Sequence, residues 1–314
     1  MKKILILGGS GYIGSRLSYL LANEGNNVDV VSHSKEIKNK NWLEKINKVI
    51  IGDIRESKLL DSITNKSYDC VIHLVSLDNN KSNKHPEFVN SVNVMPVWNL
   101  LELFNKKNNL NQFIYFSTIH VYDRSYSEIS ESSFLNPKSK YGLTHLLSEN
   151  IINHYNSTTN INCLNLRLSN SYGSPYFSNI DCWNLVVNDF CKMAFYNNEI
   201  IINSDGTGLC DFVHFQDVFN AVSLLIKKNE LEHNIFNLTS SISISIYDLA
   251  LLIKKIFKRR LNRDIVVNCL VEKPSFFKND LTFKNDRYKK IGLDLEVDLE
   301  SGINELIDYF ENHE

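Results

Sequence analysis

Short apolar runs and helical repeats alternate through the first half of the chain. KILILG (3–8), VDVVS (28–32), KVIIGD (48–53), CVIHLVS (70–76), QFIYFST (112–118) and INCLNLRL (161–168) are rich in β-branched residues. Each run predicts a strand. Between them, YIGSRLSYLLANEG (12–25) repeats Ile13, Leu17, Leu20 and Leu21 at helical spacing, and PEFVNSVNVMPVWNLLELFNKK (86–107) reads as one long helix. A further helix surrounds Tyr141. Strands that are apolar throughout and separated by helices predict a parallel sheet covered on both faces, the doubly wound α/β class.

From about Ser171 this rhythm breaks. EIIINSDG and DFVHF read as short strands, with helices near 183–196, 217–228, 246–259 and 300–312. The pattern predicts a dinucleotide-type domain over residues 1–170 and a smaller substrate-binding domain over 171–314, with 211–228 returning to the first. No internal repeat is visible.

Composition narrows the class. The chain has 314 residues, 43% hydrophobic and 22% charged, with 34 basic and 36 acidic side chains for a net charge of −2. That balance is ordinary for a soluble globular protein and points to neither nucleic acid nor a membrane surface as partner. Six cysteines without CxxC or metal-type spacing read as buried free thiols, and no metal site is expected. No run is long enough to span a bilayer, and MKKILILGGS reads as a first strand rather than a signal peptide. A cytoplasmic location is expected.

GGSGYIG (8–14) directly follows the first strand and opens the first helix. Gly8, Gly11 and Gly14 allow a tight turn and close approach of a pyrophosphate to the helix N-terminus, where N–H groups and the helix dipole favour an anion. The position predicts dinucleotide binding in a Rossmann-like sheet. At the tip of the second strand, where NAD enzymes usually place an acidic residue for the ribose 2′-OH, the chain has Ser32, His33, Ser34 and Lys35. Loss of the carboxylate removes repulsion against a 2′-phosphate, yet no arginine supplies a phosphate fork. NAD is the expected cofactor, and NADP stays open.

The glycine spacing, GDI (52–54), IHLVS (72–76), FIYFSTIHVYD (113–123), RLSNSYGSP (167–175), GTGLCDFVHFQDV (206–218) and IGLDLEVDLESGINELIDYF (291–310) together resemble the extended short-chain dehydrogenase/reductases. The resemblance is to the nucleotide-sugar epimerase/dehydratase branch and runs from residue 3 to about 310. It implies catalytic roles for Tyr141 as acid/base and Thr118 as hydroxyl donor, with Ser117 beside it. It implies cofactor contacts from Gly8, Gly11, Tyr12, Ile13, Gly14, Ser32, His33, Asp53, Ile54, Leu74, Asn93, Tyr141 and His145. Asp53 would approach the adenine, although capping of a helix after its strand fits it equally. Substrate contacts are implied for Thr118, His120, Asn170 and Asn188. The implied partner is a nucleotide sugar, and the implied assembly a homodimer.

The chain departs from that family at three places. Lysine normally stands four residues after the tyrosine, where it binds ribose and lowers the phenol pKa; here the residue is His145. A histidine can donate to a ribose hydroxyl and, if protonated, stabilise a tyrosinate, so it is the expected third catalytic residue. Lys140 points away, about 100° round the helix. The 4,6-dehydratases follow the threonine with Asp-Glu, whereas this chain has Ile119 and His120, which argues against dehydration. The arginine of the family's RDFVH segment is Cys210, so another cation is sought, with Lys192 and Lys278 as candidates by location.

The reading that follows is an NAD(P)-dependent oxidoreductase moving hydride at C4 of a nucleotide-linked sugar, as dehydrogenase, reductase or epimerase. STIHVY and the Tyr-to-His spacing look most like enzymes that make unusual surface-polysaccharide sugars, GDP-heptose 4-dehydrogenases among them. The competing class is a non-catalytic dinucleotide-binding protein, consistent with the missing lysine and arginine. A reductase of a small carbonyl compound is a weaker third reading.

Overall fold

The structure is a computed structural model that describes residues 1–33, 37–228, 230–271 and 280–313. In chain order its main elements begin with β1 (Lys3–Leu7), α1 (Tyr12–Asn23), β2 (Asn27–Ser32), α2 (Lys40–Lys45), β3 (Lys48–Ile51), α3 (Ser57–Thr64) and β4 (Tyr68–His73). They continue with α4 (Pro86–Asn93), α5 (Met95–Lys107), β5 (Leu110–Thr118), β6 (Glu128–Ile129), α6 (Lys140–Thr158) and β7 (Asn162–Leu168). The remainder comprises β8 (Asn170–Tyr172), α7 (Val186–Asn197), β9 (Glu199–Ile202), β10 (Leu209–His214), α8 (Phe215–Lys227), β11 (Ile235–Leu238) and β12 (Ser243–Ser245). After these come α9 (Ile246–Leu261), β13 (Val266–Cys269), β14 (Thr282–Phe283), α10 (Asp286–Lys290) and α11 (Leu299–Glu311).

Seven strands form one sheet in the order β11-β7-β5-β4-β1-β2-β3. The five pairings from β3 through β7 are parallel, for instance Leu7 with Val31 and with His73. Strand order reverses at β1, whose neighbours are β2 and β4. A doubly wound sheet opens a ligand crevice at such a reversal, beyond the carboxyl ends of the strands. Leu5, Leu7, Val31, Val71, Phe113 and Tyr115 form a buried core here with Leu100, Leu101 and Phe104 of α5.

The expected single helix over 86–107 is two. α4 ends at Asn93 and α5 starts at Met95, with a proline at its opening. Pro96 lacks an N–H and crowds the carbonyl one turn back, so it is suited to start a helix and not to continue one.

The chain forms two compact units. One comprises Met1–Asp123, Ser133–Leu168 and Val222–Phe236; the other comprises Arg124–Ser132, Ser169–Ala221 and Asn237–Glu314. The segment that rejoins the first unit is thus 222–236, whereas β10 lies in the second unit, in a three-stranded sheet ordered β12-β10-β8. The second unit has its own core, built from Phe190, Ala194, Ile253, Phe257, Ile303 and Phe310 among others.

Candidate active site

The turn after β1 fits a dinucleotide closely. Gly8 has φ +80°, and a Cβ on Gly14 would stand 2.2 Å from the Gly8 carbonyl oxygen. Only glycine lets α1 begin this near the strand. Gly11 is the N-cap of α1, and no side chain caps it. The helix therefore opens on a cleft of about 600 Å³ whose lining includes Gly8, Ser10, Gly11, His33, Asp53, Ile54, Arg55, Leu74, Ser76, Leu77 and Phe88. These residues fit the group the glycine motif implies: an uncapped helix end for pyrophosphate, with apolar walls for flat rings.

Six of the expected cofactor residues line this cleft: Gly8, Gly11, His33, Asp53, Ile54 and Leu74. Tyr12, Ile13, Gly14, Ser32, Asn93, Tyr141 and His145 do not line it. The Ser32 hydroxyl is buried and bonded to Ser10, while His33 is largely exposed. Ser34 and Lys35 lie outside the described residues. Asp53 caps no helix; it accepts the Arg55 N–H and is clasped by the Arg55 guanidinium, which holds its carboxyl below the usual range. Arg55, at the cleft wall, escaped the sequence reading because nothing in GDIRES marks which exposed charge borders the cleft.

The reactive candidates gather at the start of α6. Ser139 caps the helix by accepting the Gly142 N–H, which puts Tyr141 in its first turn. Gly142 is needed there, since a Cβ would come within 2.4 Å of the His120 carbonyl oxygen. Across from it, β5 ends at Thr118 and turns through a short 3-10 segment, Ile119–Val121. The Thr118 oxygen accepts the His120 N–H, and the Thr118 hydroxyl neighbours that of Tyr141. Burial raises the Tyr141 phenol above its ordinary value, and the neighbouring Thr118 hydroxyl offsets this only in part. The His120 ring meets Tyr141 edge-on at 5.8 Å between centroids. Ile119 is buried.

His145 lies one turn on, its ring centroid 4.5 Å from that of Tyr141. Its Nδ1 is 2.8 Å from the Tyr115 hydroxyl and its Nε2 3.2 Å from that of Ser76. Burial, with His73 and His120 nearby, pushes its pKa down to about 3. Its imidazole is therefore neutral at physiological pH and supplies no charge to Tyr141. Lys140 is also no substitute, because its Nζ bonds the Lys84 carbonyl. Asn93 holds the scaffold: its amide accepts the Leu77 N–H at 2.8 Å and donates to Thr144 at 2.9 Å.

Beneath these groups sits a buried network that the sequence reading missed. Arg167 donates to both Glu149 oxygens and, at 2.7 Å, to the Tyr122 hydroxyl, while Ser117 donates to Glu149. The available signal was the 141, 145, 149 spacing, which puts a carboxylate on the inward stripe of α6.

The second unit contains the other expected residues. The Asn170 amide donates to the Asp211 carbonyl. Asn188 is fully buried, and its amide group bonds both the N–H and the C=O of Gly173. Lys192 lies over the Trp183 ring, 5.1 Å from its centroid, and Lys278 is outside the described residues. The cation beside Cys210 is Arg124: it donates to the Leu209 carbonyl at 2.8 Å and lies against the Cys210 thiol.

The family model "NAD dependent epimerase/dehydratase family" matches residues 4–239. The chain is 28% identical over 272 residues to a dTDP-D-glucose 4,6-dehydratase of Dictyostelium discoideum, covering 80% of this chain and 61% of that protein. It is also 28% identical over 318 residues to a putative UDP-glucose 4-epimerase of Methanocaldococcus jannaschii, covering 99% of each. Its fold superposes on UDP-glucose 4-epimerase of Thermotoga maritima with a TM-score of 0.85 at 23% identity, covering 99% of both chains. The glycine-lined cleft and the tyrosine–threonine pair thus sit in a chain that belongs to the NAD-dependent epimerase/dehydratase family. It is an enzyme with NAD as cofactor. No helix among the described residues is long and apolar enough to cross a membrane.

The buried histidines generate a pH prediction. Burial pushes His73 down to about 4, and His145 down to about 3. Between those values and the ordinary 6.5, the unfolded chain binds protons that the folded chain refuses. Stability is therefore full above this range and falls as pH drops, by at most about 1.4 kcal/mol per pH unit for each histidine. Urea unfolding free energies measured between about pH 7 and 5 are expected to decline, and His73→Leu is expected to flatten the decline. A wild-type profile level over that window contradicts the neutral-histidine assignment.

Proposed function

We propose that the protein oxidises or reduces a nucleotide-linked sugar at C4, as dehydrogenase, reductase or epimerase. The observation that carries this reading is that the Tyr141 and Thr118 hydroxyls are neighbours, able to converge on one substrate oxygen. NAD, when bound, supplies the acceptor or donor of the hydride. In reduction Tyr141, as the protonated phenol its burial favours, gives its proton to the C4 oxygen as hydride arrives at C4; in oxidation the tyrosinate so formed takes the C4 hydroxyl proton as the C4–H bond breaks, leaving a ketone. Thr118 donates to the same oxygen as charge develops on it. Dehydration is not part of the proposal, because Ile119 offers no proton and His120 stands edge-on to Tyr141. Among substrates, STIHVY and the Tyr-to-His spacing favour a GDP-linked heptose destined for a surface polysaccharide.

Tyr141→Phe keeps the ring and is expected to lower turnover about 10²–10⁴-fold with NAD affinity nearly unchanged. Thr118→Val is expected to cost about 10²-fold. Since both act on one oxygen, the double variant should lose less than the product of the two. Hydride transfer followed at the nicotinamide absorbance, with GDP-, UDP-, CDP- and dTDP-sugars in both directions, measures this. Turnover undiminished in Tyr141→Phe rules out the mechanism.

Arg124 is the cation proposed to serve the substrate diphosphate where Cys210 replaces arginine. Its guanidinium lies against the Cys210 thiol, so the charge stands beside the exchanged position although it comes from another segment. Arg124→Ser is expected to raise the nucleotide-sugar KM about 10- to 100-fold. Adding Cys210→Arg to that variant is expected to recover most of the loss. An unaltered KM in Arg124→Ser removes Arg124 from the site.

We propose a homodimer as the assembly. Met95 and Trp98 of α5 and Leu143 and Leu147 of α6 are all exposed, the most open being Trp98 at 51%. Exposed apolar side chains on neighbouring helices suit burial against a second copy. Sedimentation is expected to show a dimer that Trp98→Glu converts to monomer; a wild-type monomer at micromolar concentration overturns this.

A further inference from the structure

The Ser76 hydroxyl lines the NAD cleft and donates to the Leu77 carbonyl at 3.0 Å. Ser76 has one hydrogen for two neighbours, and the Leu77 carbonyl, the nearer of them, can only accept; assigning the hydrogen to the carbonyl makes His145 Nε2, at 3.2 Å, the donor to Ser76. A neutral imidazole with Nε2–H has a bare Nδ1, which accepts the Tyr115 hydroxyl hydrogen. The chain Tyr115 to His145 to Ser76 to the Leu77 carbonyl is thereby directional and uses each donor once. The Leu77 N–H is held as well, by Asn93. Ser76 keeps one acceptor lone pair at the cleft wall, which suits a ligand hydroxyl such as one on a ribose.

We propose that Tyr115 is a positioning residue for the cofactor. By fixing His145 as the Nε2–H tautomer it fixes the Ser76 oxygen in the cleft, so the link from α6 to NAD is an uncharged hydrogen-bond chain rather than a cation. The surroundings support a neutral link. His73 of β4 lies 5.8 Å from Tyr115 between ring centroids, is fully buried, and has no partner for either ring nitrogen among the described residues. His120 and Tyr141 face the imidazole from the 3-10 turn and from α6, and the Glu149 carboxylate beyond Tyr115 is paired with Arg167. This inference rests on the NAD-binding cleft, and it does not require the sugar chemistry proposed above.

Long-range nitrogen–proton NMR of the full chain with imidazole nitrogens labelled reads the tautomer directly. The expected result is one neutral Nε2–H form for His145, unchanged from about pH 5.5 to 8.5. Tyr115→Phe keeps the ring but removes the hydroxyl, and is expected to mix the tautomers and weaken NAD binding about 3- to 10-fold by calorimetry. Ser76→Ala is expected to weaken NAD similarly, and Tyr115→Phe with Ser76→Ala no more than either alone. His145→Gln, whose amide N–H can reach the place of Nε2–H, is expected to retain NAD affinity better than His145→Ala. Titration of His145 near neutral pH overturns the proposal, as does Tyr115→Phe with unchanged tautomer and unchanged affinity. Neither readout uses a nucleotide sugar, so failure here is distinct from failure of the C4 assignment.

Discussion

Glu149 and Arg167 meet with their side chains only 1% and 2% exposed, and the groups they fasten are those that flank the candidate chemistry. Glu149 belongs to α6, two turns after Tyr141 and one after His145. Arg167 belongs to β7, where it aligns with Ser117 of β5, which itself donates to Glu149. Arg167 also holds Tyr122, just past the turn that carries His120. One ion pair therefore sets the distance from the tyrosine helix to the threonine strand. Desolvating two charges is costly enough that such a pair is poor evidence of net stability. Losing one partner, however, strands the other, at roughly 3–5 kcal/mol. The pair is better understood as fixing register between helix and sheet.

The rest of the inward face of α6 follows the same logic. Thr144, His145, Ser148 and Glu149 are buried where most helices carry aliphatic residues. Each finds a partner: Thr144 with Asn93, His145 with Tyr115 and Ser76, Ser148 with the Asn93 carbonyl, and Glu149 with Arg167. Hydrogen bonds of defined direction hold a helix in one rotation and one slide, which an apolar face does less strictly. Such a face serves a site in which two hydroxyls must meet.

The sheet was legible because parallel strands are buried on both sides and spell continuous β-branched runs. The glycine turn was legible because backbone approach, rather than a side chain, makes the contact. Thr118 and Tyr141 could be placed by order and spacing. The charge state of His145 could not, since it depends on burial and on His73 and His120, which come from the end of β4 and the turn after β5. Arg124 was invisible for a like reason: Cys210 lies far along the chain, and only folding brings a guanidinium from residue 124 to it. The break at Pro96 was readable in principle, but the apolar period runs across it and masked the stop.

Strand β6 has a consequence for how the molecule comes to be. Its two residues pair with β14, whose residues are about 150 positions later, and it belongs to the second unit although helix α6 of the first unit follows it. At a synthesis rate of roughly 5–20 residues per second, β6 leaves the ribosome about 8 to 30 seconds before its mate. Neither unit is a single stretch of chain, so neither can mature wholly ahead of the other in order of translation. The interleaving ties completion of the second unit to residues made long after β6, and leaves a short, charged edge, rather than a long apolar one, to wait.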